Sequence, residues 1–317
     1  MSTAAAGSST TPTRVGYLGP EGTFTEQAML RVPELAAAEP VPFTLMTDVL
    51  FAVEDGRIDL GVVPVENAIE GTVNAIVDAM AFDVDVLVQR EIVEPVSLHL
   101  VAAAGTGLPS VERVHAIPVA SSQCRRWLRE HLPNVEYVAA SSNADAARTV
   151  ANGEDPRAAA IANPRAAEVY GLEVLASEIE DHPENQTRFV VVAPTGVPTP
   201  TGHDKTSIVV FQRADRPGSL LAILQEFAAR SINLSLLLSR PTKTSLGDYC
   251  FLLDLDGHVS DPVVADCLRT LRATQANVKF LGSYPAAGPA GPETRVEVEE
   301  RFTEAEEWLT SIRDQIG

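Results

Sequence analysis

The chain has 317 residues, 45% of them apolar. It is too long for one ordinary core and too apolar to be disordered, so two or three compact units are expected. With 43 acidic residues against 24 lysines and arginines, its formal charge is −19, which excludes nucleic acid and an anionic membrane surface as partners drawn by the bulk field. A negatively charged substrate would need a local pocket of donors.

Residues 1–13 carry neither a basic start nor an apolar run and read as a flexible leader, not a signal peptide. The first ordered signal is a strand over 15–18. The turn Gly19-Pro20-Glu21-Gly22-Thr23 follows, with Thr23 and Glu26 spaced as a capping box that opens a helix. Exposed backbone N–H groups at such a turn favour anions. Residues 47–54 read as a helix, and 60–65 as a buried strand that ends at Glu66-Asn67. A helix is expected from about 72 to 80, then strands over 84–88 and 96–102, the second placed just after Pro95. Further along come a helix over 122–131, a strand over 135–139, and Ser141-Ser142 capping a helix over 144–151. An all-apolar strand at 158–162 leads into Asn163 and a helix through Tyr170, and a strand covers 187–192.

This alternation argues for open α/β sheets, in which ligands bind at the carboxyl ends of strands. Thr23, Asn67, Ser142 and Asn163 all fall just past a strand end. Residues 195–205 hold two prolines and two glycines and read as a linker. Strands over 207–211, 234–238, 249–255 and 278–281 then alternate with helices over 217–230 and 262–274, the ferredoxin-like order βαββαβ. Beyond Pro285 a Gly/Pro/Ala spacer precedes an acidic segment. There Phe302, Ala305, Trp308, Leu309 and Ile312 share one helical stripe, suited to docking on the protein's own surface or to an oligomer contact.

Three cysteines (Cys124, Cys250, Cys267) have no metal-ligand spacing and no even count, which fits a reducing, cytoplasmic compartment. No apolar run reaches the roughly 18 residues of a membrane span.

Several motifs carry a resemblance. Gly19 to Thr25 (GPEGTFT) resembles the N-terminal signature of the prephenate dehydratase family. Pro64-Val65-Glu66-Asn67 with Gly71 is similar to its second motif, and Asn185-Gln186-Thr187-Arg188-Phe189 to its N-x-T-R-F motif. Gln123-Cys124, Ser142 and the stretch from Ile161 to Leu172 follow the same order. The second unit resembles an ACT domain, with Gly218-Ser219-Leu220 in place of G-A-L and residues 233–241 in place of N-L-T-K-I-E-S-R-P.

The resemblance implies a two-lobed catalytic domain over 14–194, of the type II periplasmic-binding-protein kind. It also implies a linker over 195–205, an ACT domain over 206–285, and a spacer with a C-terminal helix over 286–317. It implies decarboxylating dehydration of prephenate to phenylpyruvate without cofactor or metal, and feedback by L-phenylalanine in a homodimer or homotetramer. Arogenate as substrate, or a non-catalytic amino-acid sensor, are the alternatives.

Thr187 would donate to the departing hydroxyl, since a threonine is too weak an acid to surrender its proton outright. Asn67 is either a carboxylate cradle or a turn former. Gln123 is either a substrate donor or a polar residue on a helix surface. Arg188 is either a carboxylate fork or a structural ion-pair partner, because strand alternation sends Thr187 and Arg188 to opposite faces. Phe189, Ser142, Asn163, Thr23 and Gly22 complete the expected substrate contacts. Gly218, Ser219, Leu220, Asn233, Leu238, Ser239, Arg240 and Pro241 form the expected phenylalanine site. Two positions depart from the family pattern: Ala116 stands where many members have serine, and Leu238 where the effector motif has glutamate.

Overall fold

The computed structural model describes residues 14–153, 155–213, 216–243, 248–275, 277–288, 304–305 and 307–315. The expected leader and Phe302 of the C-terminal stripe lie outside them. The chain divides into two units, one of residues up to 76 with 92–190, the other of 77–91 with the residues from 191 onward.

The first unit has two lobes, each built on its own sheet. In lobe one, β1 (Arg14–Leu18) lies parallel between β2 (Glu39–Phe43) and β3 (Leu60–Asn67). The sheet order is β2-β1-β3-β11-β5, with a two-residue β4 (Gly71–Thr72) folded back on the end of β3. β5 is Leu87–Pro95 and β11 is Gln186–Ala193, and both strands cross the boundary between the units. In lobe two, β7 (Arg113–Ala116), β8 (Glu136–Ala139) and β9 (Ala158–Ala162) run parallel, and β6 (His99–Ala102) and β10 (Glu173–Ala176) are antiparallel additions, in the order β10-β6-β9-β7-β8.

Every residue of β9, Ala-Ala-Ala-Ile-Ala, is buried. A strand covered on both faces reads as a continuous apolar run. Its small side chains let the helices Asn143–Ala151 and Pro164–Tyr170 close on it through Ala146, Ala147, Ala166 and Ala167. Gly171, at φ +64, ends the second helix in the left-handed conformation.

The structure departs from the sequence expectations at several places. The helix expected from 72 to 80 starts at Asn74, because Gly71 and Thr72 pair back on Asn67 and Glu66; after Asp78 it widens into a π-helical turn over Ala79–Asp83. The strands expected at 84–88 and 96–102 are Leu87–Pro95 and His99–Ala102, so Pro95 closes a strand instead of preceding one. The helix expected at 122–131 begins at Pro118 and breaks at Cys124 into two pieces. β2 and β10 had no signal in the sequence, and both are edge strands. The prolines Pro40 and Pro42 of β2 are tolerated there because one side of an edge strand needs no ladder partner.

The second unit holds β12 (Asp204–Phe211), β13 (Leu234–Pro241), β14 (Tyr249–Asp256) and β15 (Asn277–Pro285), antiparallel in the order β13-β14-β12-β15. Helices Ser219–Ala228 and Pro262–Thr274 complete the ferredoxin-like βαββαβ arrangement. Its core joins Ile208, Val210, Ile223, Phe227, Phe251, Leu253, Leu255, Val264 and Leu271.

Residues 77–91 pack against this unit. Arg240 forms a two-pronged pair with Asp78 (2.7 and 2.9 Å), Lys205 pairs with Glu91 (2.8 Å), and the Lys279 Nζ donates to the Val84 carbonyl (2.7 Å). A Cβ on Gly282 would fall 2.5 Å from the Val88 carbonyl oxygen, so only glycine permits that approach. Residues 307–313 are helical, with Trp308 and Ile312 exposed. Among the described residues no helix is long and apolar enough to cross a membrane.

Candidate active site

The site is assembled where the end of β3, the start of β11 and the helix Pro118–Gln123 meet. Asn67 closes β3 and opens a three-residue loop that Gly71, at φ +79, turns back into β4. The Asn67 Oδ1 accepts the backbone N–H groups of Ile69 (3.0 Å) and Glu70 (2.9 Å), an Asx turn that fixes the loop. The Ala68 N–H donates to the Gln186 carbonyl (2.9 Å), which ties the loop to β11.

An amide oxygen holding two backbone donors leaves the Asn67 Nδ2 facing the other way. That nitrogen donates to the Thr187 Oγ1 (2.9 Å) and to the Asn185 Oδ1 (3.0 Å). All four strong hydrogen-bonding positions of Asn67 are thus used inside the protein. Asn67 thereby holds Thr187. The Thr187 oxygen is occupied as an acceptor, so its own hydrogen is directed elsewhere.

The Gln123 Oε1 accepts from the Asn185 Nδ2 (3.2 Å), and the Gln123 Nε2 makes only a 3.5 Å contact with the exposed Glu70 carboxylate. That contact is too long to hold the amide, so its N–H groups are available to a ligand. Gln123 is buried, which removes the helix-surface reading. Asn185 and Glu70 were not expected as site residues. The first position of the Asn185-to-Phe189 motif was the available sign for Asn185.

The remaining expected contacts divide. Thr187 and Arg188 both lie inside β11, so the pleat sends them to opposite faces. Phe189 is buried, two residues on from Thr187 and so on the same face of β11. Ser142 caps the helix Asn143–Ala151 by accepting the Asp145 N–H (2.9 Å).

Asn163 has 0% exposure. Its Oδ1 accepts the Ala166 N–H (3.3 Å) and its Nδ2 donates to the Gln27 Oε1 (2.9 Å). It bridges the lobes, with one hydrogen bond made by its oxygen and one by its nitrogen. Thr23 donates to the Leu18 carbonyl (2.8 Å) and accepts from the Glu26 N–H (3.3 Å), while the Gly22 N–H donates to the buried Glu26 carboxylate, which also pairs with Arg165 (3.0 Å). The anion held at this turn is the protein's own Glu26. Burial, and then the nearby Glu26 carboxylate, push the Tyr17 phenol well above its ordinary range.

Ala116 is buried in the apolar cluster of lobe two with Ala120 and Leu128. Cys124, next to Gln123, is fully buried, and burial raises its thiol far above the nucleophilic range. Among the described residues no three His, Cys, Asp or Glu side chains could hold a metal ion.

In the second unit a cavity of about 610 Å³ is lined by Gly218, Ser219, Leu220, Leu221, Leu224 and Ser239, with Gln212, Arg216, Tyr249 and Phe251. Four of the eight expected effector residues are among its walls. The other four are not. Leu238 sits on the face of β13 opposite Ser239, Arg240 is paired with Asp78, Asn233 donates to Asp256 (2.9 Å), and Pro241 ends the strand.

Two α/β lobes sharing a partly buried amide and hydroxyl cluster, followed by a ferredoxin-like unit with its own cavity, define a two-lobed α/β enzyme carrying a regulatory domain. Residues 15–196 match the prephenate dehydratase family and residues 206–273 the ACT domain. The chain is 39% identical over 314 residues to the prephenate dehydratase of Mycolicibacterium vanbaalenii, spanning 95% of this chain and 98% of that one. It is 41% identical over 309 residues to that of Mycobacterium tuberculosis, spanning 95% and 94%. The solved prephenate dehydratase of Arthrobacter aurescens in complex with L-Phe is similar at a TM-score of 0.87 and 40% identity, covering 95% of this chain and 99% of that one. The chain belongs to the prephenate dehydratase family, a family of lyases. The reading as a non-catalytic sensor is set aside.

Proposed function

We propose that this chain converts prephenate to phenylpyruvate in the cytoplasm. The dianionic substrate loses its ring carboxylate as CO2. The electron pair of the broken C–C bond enters the ring, the C–O bond to the ring hydroxyl breaks, and that hydroxyl leaves as water with one proton taken up. Aromatisation provides the driving force, and hydroxide is the poor leaving group. A donor at that oxygen therefore matters most in the transition state.

One observation carries the reading: the Thr187 oxygen accepts from the Asn67 Nδ2 at 2.9 Å, so its O–H is turned outward as a donor. Gln123 offers a second donor through its Nε2. The test is phenylpyruvate formation by wild type and Thr187→Ala, with arogenate as comparison substrate. A fall of about 10²–10³-fold in the variant is expected, and turnover unaffected by the substitution would discard the mechanism.

We further infer that L-phenylalanine binds the cavity of the second unit. Leu220, Leu221, Leu224 and Phe251 offer apolar contact for a phenyl ring, and the start of the helix Ser219–Ala228 favours a carboxylate. Leu221 is 59% exposed, and Tyr249 and Leu237 are also exposed. A second copy covering this apolar rim fits a homodimer or homotetramer.

A further inference from the structure

We propose that Asn185 is a positioning residue for the dehydration, fixing the hydrogen-bond direction of the whole donor cluster. The proposal rests on the dehydratase reading. The two backbone N–H groups of Ile69 and Glu70 determine which end of the Asn67 amide is oxygen. The Asn67 Nδ2 must then donate, and the Asn185 Oδ1 receives it at 3.0 Å. With its oxygen taken, Asn185 turns its Nδ2 to the Gln123 Oε1 at 3.2 Å. Gln123 is left to present its N–H groups.

One direction therefore runs from backbone through three amides, and both exits, the Thr187 hydroxyl and the Gln123 amide, are donors. A site that must hold carboxylates and assist a departing hydroxyl needs donors at both places. Asn185 is 2% exposed, its N–H donates to the His182 carbonyl (3.1 Å), and its carbonyl accepts from the Val96 N–H (2.9 Å). Its backbone is pinned on both sides, and the donor at its side-chain oxygen with the acceptor at its nitrogen fixes which way the buried amide faces.

Asn185→Asp keeps the shape and changes the direction. A carboxylate still accepts from Asn67, but it cannot donate to Gln123. Gln123 then turns over to donate to Asp at this position and shows its oxygen to an anionic substrate. Protonation of the new carboxyl, whose affinity for a proton burial raises, restores the donor and the original arrangement.

The experiment measures kcat/KM for prephenate between pH 5.5 and 8.5 for wild type, Asn185→Asp, Gln123→Ala and the double variant, with circular dichroism confirming the fold. The expected result is a loss of about 10–100-fold at pH 8, the effect of one hydrogen bond to a charged group. That loss should shrink as the pH falls, in a limb the wild type lacks, and it should be absent in the Gln123→Ala background. A loss that is independent of pH, or that persists without Gln123, marks a merely structural role and overturns the proposal, as does an unchanged rate. If Asn185→Asp does not fold, Asn185→Ser leaves Gln123 unheld and should lose activity only while Gln123 is present. Wild type without turnover overturns the dehydratase reading together with this one; wild type turning over beside an unaffected variant overturns this one alone.

Discussion

Gly22 approaches the helix Pro164–Tyr170 of the other lobe closely, and replacing it measures how tightly they are joined. Its φ is +89, and a Cβ there would stand 3.0 Å from the Ala166 Cα, 3.3 Å from the Ala166 Cβ and 3.2 Å from the Tyr170 ring. Left-handed backbone costs an alanine about 1–2 kcal/mol. Overpacking against a helix backbone that cannot step aside adds about 1–3 kcal/mol. Gly22→Ala should therefore destabilise the first unit by about 2–5 kcal/mol. Gly171 provides the control: its φ is +64, but nothing lies within 4 Å of the added Cβ, so Gly171→Ala carries the backbone strain alone. At about 2–4 °C per kcal/mol for a unit of this size, the Tm should fall by about 10 °C for Gly22→Ala and about 4 °C for Gly171→Ala. Thermal melts followed by circular dichroism at one scan rate make the comparison. Equal shifts would mean that the helix Pro164–Tyr170 yields freely, and the reasoning from close approach would be wrong.

The ion pair of Asp78 with Arg240 offers a pH test. The Arg240 hydrogen bonds, with the charges of Arg240 and Lys243 behind them, hold the Asp78 carboxyl below its ordinary value against the opposing effect of burial. A carboxyl whose folded value is depressed stabilises fully above the unfolded value of about 3.9 and loses that contribution as the pH falls through the folded value. The difference in urea midpoint between wild type and Asp78→Asn should therefore be at its full size at pH 7 and shrink as the pH falls below about 4; a gap that stays constant would contradict the pairing. Arg240→Ala should cost about 2 kcal/mol at pH 7, between the values for exposed and buried pairs. Ala116→Ser places a hydroxyl among Ala120, Leu128 and other apolar neighbours, so the catalytic constant should change little, and a gain beyond tenfold would show that the hydroxyl reaches substrate.

The order of elements was legible because both periodicities are strong in this chain. The strands at 15–18, 60–65 and 158–162, the caps at Thr23 and Ser142, and the βαββαβ order of the second unit follow from local pattern. Thr187 stood out through its motif. The edge strands β2 and β10 were not legible, since an edge needs neither full burial nor a clean alternation. Asn163 and Gly22 look from the sequence like ligand-binding turn residues. Tertiary packing instead commits the amide of Asn163 to Gln27 and the N–H of Gly22 to Glu26.

The sequence by itself determined the α/β alternation and the βαββαβ order that follows it, the need for a local donor pocket in an acidic protein, and the presence of Asn67, Gln123 and Thr187. Only the tertiary structure decided which partners each of them holds. Asn67 and Asn185 are 118 residues apart in the chain and 3.0 Å apart in space. Which end of an amide donates depends on partners that no local spacing reveals, because hydrogen-bond direction is set by the whole closed network.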